Sequence, residues 1–172
     1  MRIDTENCCL LLIDIQEKLI PSIFNKDTVV DTSLVLIDVA SSLKIPIILT
    51  EQYPKGLGET LKKIKDHLQN KPFYKIEKTS FSCLDSEFFI KTLESLKKKQ
   101  VIVVGIESHI CVLQTTLDLK SRGYVAFIVN DGLGSRKIDD HNLGLNRMTS
   151  SGIHLTNTEM LIFELVRDSK HE

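Results

Sequence analysis

A single thiol, Cys111, stands where a strand gives way to a helix. Before it, Val101 to Val104 form a run of four β-branched apolar residues that ends at Gly105. After it, apolar residues recur at helical spacing as far as Ser121. Strand, sharp turn and helix N-terminus place unpaired backbone N–H groups around a side chain at that point. Together with the positive end of the helix dipole they favour a thiolate. They also suit the oxyanion of a tetrahedral intermediate. The competing reading is structural, since most free cysteines are small buried hydrophobes. Spacing at this one segment leaves both open.

A second criterion is positional. In an open parallel sheet, ligands sit at the carboxyl ends of the strands. The first apolar strand leads to Asp14 and Gln16, the second to Thr50 and Glu51. A short strand leads to Lys78, the central one to Glu107, Ser108 and Cys111, and the fifth to Asn130 and Asp131. Asp14, Lys78 and Cys111 therefore share one edge. As a set they could work: Cys111 as nucleophile, Asp14 as the base that takes its proton and returns it to a leaving group. Lys78 would keep Asp14 charged and favour the thiolate. Equally, an Asp after a strand often caps a loop, and a lysine among 22 basic residues is usually solvated.

The elements that would position these residues alternate along the chain. Continuous apolar runs at Cys9–Ile13, Ile45–Leu49, Val101–Val104 and Tyr124–Val129 read as buried strands, with a shorter one at Phe73–Ile76. Helical periodicity covers Thr28–Leu43, Leu61–Leu68, Asp85–Leu96, Ser108–Ser121 and Asp140–Ser151. In the fourth-strand approach helix, Phe88, Phe89, Leu93 and Leu96 form the inner face. A closing helix spans about Asn157–Asp168, with Thr156 and Glu159 at capping-box spacing. Gly123 reads as a helix C-cap. The pattern predicts one α/β domain over residues 1–172, a three-layer α/β/α sandwich around a mostly parallel sheet of about six strands.

Composition narrows the function classes. The chain has 172 residues, 42% hydrophobic and 26% charged, with a net charge of −1. That offers no electrostatic footprint for nucleic acid or an anionic membrane. The Lys97–Lys99 run reads as a solvated helix cap. No apolar run nears the ~20 residues of a membrane span, and the first residues lack a signal-peptide pattern, so a cytoplasmic setting is expected. The four cysteines show no framework spacing and read as reduced thiols. Cys8 and Cys9 look like packing residues, whereas Cys83 falls in a polar loop and is expected to be exposed.

Three segments, LLIDIQ, EKTSFS and GIESHICVLQT, resemble in order and spacing the isochorismatase-like cysteine hydrolase superfamily. The likeness runs from Cys9 to about Glu164 and includes VNDGLGSR, where the family usually has Ala at Gly132. The TEQYPKGLG loop is similar to the small single-domain branch. The resemblance implies a catalytic triad of Asp14, Lys78 and Cys111, and a non-proline cis peptide at Ile106–Glu107. It also implies oxyanion donors at the backbone N–H groups of Glu107 and Cys111. Gln16, Tyr53, Phe81, His109 and Ile110 are expected to line the substrate pocket by their closeness to the triad; for His109 a solvated turn is the alternative.

The sequence departs from the nicotinamidases, which carry Asp-x-His-x-His after the second strand; here that loop reads EQYPKGLGE. The five histidines are scattered, so no zinc or iron site and no cofactor is expected. The leading reading is a metal-independent hydrolase of a small amide or other C–N bond, working through a thioester-type intermediate on a small-molecule substrate. Alternatives are a nicotinamidase-like amidase, an isochorismatase-type vinyl-ether hydrolase, which would leave the thiol unused, and a non-catalytic oligomeric scaffold. A nuclease is disfavoured by the missing basic stripe and metal-carboxylate cluster. The closing TEMLIFELV is apolar around more than one face, which predicts a patch buried by a second subunit in a homo-oligomer, a dimer or higher.

Overall fold

Six parallel strands form one sheet in the order β3-β2-β1-β4-β5-β6 in the computed structural model, which describes residues 1–170. The strands are β1 (Cys8–Ile13), β2 (Ile47–Gln52), β3 (Tyr74–Lys78), β4 (Gln100–Ile106), β5 (Val125–Gly134) and β6 (His154–Thr156). The central pair β1 and β4 is buried at every position, which is why their sequences are apolar runs rather than alternations. Side chains leave β1 alternately to the two faces. Cys8, Leu10 and Leu12 join one core layer, and Cys9, Leu11 and Ile13 the other.

Helices cover both faces, completing an α/β/α sandwich. One face carries α1 (Lys26–Ser42), α3 (Lys62–Leu68) and α7 (Thr158–Val166), which supply Val29, Ile37, Ile64, Leu68, Leu161 and Leu165 to the core. The other carries α4 (Glu87–Ser95), α5 (Leu113–Ser121) and α6 (Ile138–Ser150), with Phe89, Leu93, Leu119 and Met148. A single-turn helix, α2 (Pro54–Leu57), lies in the loop after β2.

Several elements differ from the sequence reading for physical reasons. β2 starts after Pro46, whose carbonyl accepts from Leu10 N–H, and it extends through Thr50 and Glu51 to Gln52. β5 continues past Asn130 and Asp131, because its pairing with β4 slips between Val103 and Gly105 and the chain bulges there. Asp131 consequently accepts the Thr158 N–H at the start of α7. The sixth strand is only three residues long, too short for its periodicity to show. Asn157, not Thr156, caps α7 through the Met160 N–H, because Thr156 belongs to β6. Phe89 and Leu93 are buried on the inner face of α4 and Leu96 packs against them as expected, but Phe88 is 63% exposed and lies off that face. Cys83 is fully buried: its N–H donates to Thr115 Oγ1, which draws the loop beneath α5. On α7, Leu161 and Leu165 face inward, leaving Met160 and Phe163 exposed.

The sheet tolerates only glycine at one point beside the strand ends. Gly105 has φ +122°, and a Cβ there would come within 2.1 Å of the Ile13 carbonyl oxygen. That close approach of β4 to β1 keeps the ends of both strands side by side. Gly105→Ala is expected to cost about 3 kcal/mol or more, since the clash is with backbone and the φ is unfavourable for any Cβ. Urea melts of the variant and parent measure it.

Candidate active site

Asp14 ends β1 in the left-handed region, φ 54°, a conformation that Asp adopts more readily than most residues. Its N–H donates to Thr50 O (3.2 Å) and its carbonyl accepts from Gln16 N–H (2.8 Å), a tight turn that directs the side chain across the strand ends. The carboxylate is fully buried. Oδ1 accepts from Thr50 Oγ1 at 2.7 Å, and Oδ2 accepts from Lys78 Nζ at 2.8 Å.

Lys78 is equally enclosed. Its Nζ also donates to Gln52 Oε1 (2.6 Å) and to the carbonyls of Ser80 (3.2 Å) and Phe81 (3.3 Å). The pairing of β2 with β3 sets Gln52 opposite Lys78, so register alone delivers this contact. Burial opposes the charge on Lys78 most, but the groups around it, Asp14 foremost, together hold the ammonium above its ordinary range. The charge pair is thus kept by a full set of acceptors.

Cys111 lies in a π-helical turn, Ser108–Val112, between β4 and α5. Ile110 and Val112 N–H both donate to the Glu107 carbonyl, at 3.0 and 3.3 Å, which sets the wider turn. The preceding Ile106–Glu107 peptide is cis. The Glu107 carboxylate turns away to Arg136, accepting from its N–H at 2.9 Å and its Nε at 3.2 Å. Among the described residues the Glu107 N–H donates to no backbone acceptor.

The surroundings of the thiol act against the expectation drawn from the helix terminus. Burial raises the Cys111 pKa first, and the negative charge of Asp14 raises it further; Lys78 lowers it but does not prevail. Burial and the nearby carboxylate act against the helix terminus, since a full charge close by outweighs a half-charge dipole end. Cys8, Cys9 and Cys83 are pushed up to about 12 by burial. All three are completely enclosed, whereas Cys111 is 7% exposed.

The expected pocket residues divide into two groups. Gln16 is fully buried and committed to the backbone: Nε2 donates to Gln52 O (2.9 Å) and Gly58 O (2.7 Å), and Oε1 accepts from Gln52 N–H (2.7 Å). It ties the 53–60 loop to β2 and has no donor left for a substrate. Tyr53 and Phe81, 53% and 55% exposed, stand at the rim. Tyr53 borders a cleft of about 460 Å3, with Pro54, Thr79 and Ser86, that opens beside Lys78. His109 is fixed by Ser135 Oγ at 3.0 Å and faces Asp140 at 4.0 Å, so it is held by its surroundings rather than solvated. Ile110 packs partly into the core.

Thr50 and Gln52 complete the site, and neither received a role from the sequence. Thr50 lay at a strand end, which was a usable signal; Gln52 depends on the β2–β3 register and left none. Glu51, in the position where a metal ligand would follow β2, is instead held by Thr60. Its Oε1 accepts from both Thr60 N and Oγ1 at 2.7 Å, and Oε2 lies 2.9 Å from Lys75 Nζ. Burial opposes its charge, yet these partners hold its pKa below the usual carboxylate range. Among the described residues no group of three or more His, Cys, Asp or Glu is placed to bind a metal.

Comparisons with known proteins identify the family. The isochorismatase domain family matches residues 8–160. Isochorismatase family protein 1B of Dictyostelium discoideum is 39% identical over 99% of this chain and 84% of its own length. A solved structure described as the MAR1 ribonuclease of Caenorhabditis elegans superposes with a TM-score of 0.93 at 41% identity, covering 99% of this chain and 87% of that one. The YcaC gene product of Escherichia coli, described as an octameric hydrolase of unknown specificity, gives 0.92 at 26% identity, covering 100% and 85%. The chain belongs to the isochorismatase-domain family of hydrolases.

Proposed function

We propose that residues 1–172 form one metal-independent cysteine hydrolase domain that cleaves a small amide or a related C–N bond. The observation that carries this reading is the Asp14 carboxylate. It is pinned by Lys78 and Thr50, and it lies close enough to Cys111 for its charge to raise the thiol's pKa. A buried thiol of raised pKa is a poor nucleophile by itself, but a fixed carboxylate in contact can take its proton as it attacks.

In the proposed cycle, Cys111 Sγ bonds to the carbonyl carbon while its proton passes to Asp14. The oxyanion so formed is received by the N–H groups of Glu107 and Cys111. The C–N bond then breaks, with the Asp14 proton moving to the departing nitrogen, and a thioester remains on Cys111. Asp14 next takes a proton from water as it attacks the thioester. That proton returns to Sγ, releasing the acid. Lys78 keeps its charge throughout and offsets that of Asp14 when the aspartate is ionised. Tyr53, Phe81, His109 and Ile110 would shape the entrance, with Gln16 holding the loop behind it.

The vinyl-ether alternative needs the acid but not the thiol, so it leaves the Cys111–Asp14 contact without a use. RNA cleavage is raised by the name of the Caenorhabditis relative. It calls for cations at the catalytic centre free to meet phosphates, whereas Lys78 there is spent on Asp14. Four unpaired cysteines fit a reducing compartment such as the cytoplasm. Among the described residues no helix is long and apolar enough to cross a membrane.

Assembly belongs to the same proposal. Phe163 is 69% exposed and Met160 lies beside it on α7, an apolar surface that a second copy would cover. The octameric Escherichia coli relative shows that this fold can assemble through copies of itself.

Two experiments test these readings. Turnover is screened against small amides, ureides, an enol ether and an oligoribonucleotide, with Cys111→Ala alongside. Amide or ureide hydrolysis falling at least about 1,000-fold in the variant, and surviving chelation, is the expected result. Activity on the enol ether or RNA that persists in Cys111→Ala contradicts it. For assembly, light scattering should show an oligomer for the parent and a folded, smaller species for Phe163→Glu; a monomeric parent rejects it.

A further inference from the structure

At the opposite edge of the sheet from Cys111, the chain gathers cations around a cavity. Lys97, Lys98 and Lys99 lie just before β4, and Arg122 and Tyr124 just before β5. With Leu84, Ile90 and Leu93 they enclose about 390 Å3, within the range of small-molecule sites. Lys97 takes a left-handed conformation, φ 54°, which ends the α4 segment and turns the lysines along the cavity.

These charges lack paired acids: among the described residues none of Lys97, Lys98, Lys99 and Arg122 forms an ion pair with an acidic side chain. The one acid on the wall is Glu94. Basic residues do suit helix C-termini, and the ends of α4 and α5 both point here. Two half-charges and Glu94 offset only part of four cations. In a chain of net charge −1 this concentration is local. The lysines are also partly organised: Lys98 Nζ donates to Glu6 O at 2.6 Å, and Lys99 Nζ lies 4.8 Å from the Tyr124 ring centre. The floor beneath them is apolar, with Leu84 and Leu93 buried.

We propose that this cleft is a second binding site, for a small organic anion with an apolar body and a phosphate or carboxylate head. The body would rest on Leu93 and Tyr124, and the head would meet Lys97, Lys99 and Arg122, relieving their mutual repulsion. It is independent of the hydrolase reading, because it shares no residue with the Cys111 site.

Isothermal titration of the full chain tests it, using α-naphthyl phosphate and α-naphthoate as probes, with α-naphthol and inorganic phosphate as the separated halves. One or both joined probes should bind at a single site, roughly tenfold or more tighter than either half. Arg122→Glu and Lys97→Glu should each weaken binding at least about fivefold with unchanged thermal unfolding, and each lies on the surface where charge reversal is tolerated. Protein alkylated at Cys111 should bind equally well. The difference between the two probes tells whether the head is phosphate or carboxylate. No saturable binding, affinity unmoved by both charge reversals, or binding lost on Cys111 alkylation would each overturn the proposal.

Discussion

The buried ion pair between Lys78 and Asp14 is the constraint around which the candidate site is built. Two charges removed from water destabilise a fold unless every remaining donor and acceptor is met. Here the ammonium finds one carboxylate, one amide oxygen and two carbonyls, and the carboxylate also receives a hydroxyl. Those partners come from β1, β2, and the turn after β3. The pair therefore fixes how three strand ends and one loop sit relative to one another. The thiol near that carboxylate takes on its field, which, after burial, raises its pKa.

The layers behind the pair carry no chemistry of their own but leave it little freedom. Gln16 and Glu51 both fasten the 53–60 loop, one through backbone atoms of Gln52 and Gly58, the other through Thr60. Gly105 lets β4 approach β1 closely enough that the turn bearing Cys111 follows directly beside Asp14. Elements that look like ordinary loop packing are thereby part of the geometry that the proposed reaction needs.

The fold was legible because its signals are local. An uninterrupted apolar run means a strand buried on both faces, and β1 and β4 follow that rule at every residue. The strand-end criterion also drew out Asp14, Lys78 and Cys111 without reference to contacts. What it missed depends on distances the sequence does not contain. The acid strength of Cys111 depends first on its burial and then on the nearby Asp14 carboxylate, both acting against the helix terminus. Gln16 is adjacent to the triad in sequence yet points into the backbone. Cys83 sits among polar residues, but the Thr115 hydrogen bond carries it inside. β6 was hidden by its length, and the cap of α7 moved by one residue because that strand claimed Thr156.

The ionisation of Cys111 itself tests the central relationship most directly. Thiolate formation can be followed by ultraviolet absorbance in the parent and in Asp14→Asn, each compared with its Cys111→Ala counterpart. If Asp14 governs the thiol, Cys111 in the parent ionises well above the ordinary thiol range near 8.5. Replacing the charge by an amide should bring that transition down by at least about one pH unit while abolishing turnover. A parent Cys111 already ionised at neutral pH, or a transition that Asp14→Asn leaves unmoved, would contradict a thiol governed by Asp14.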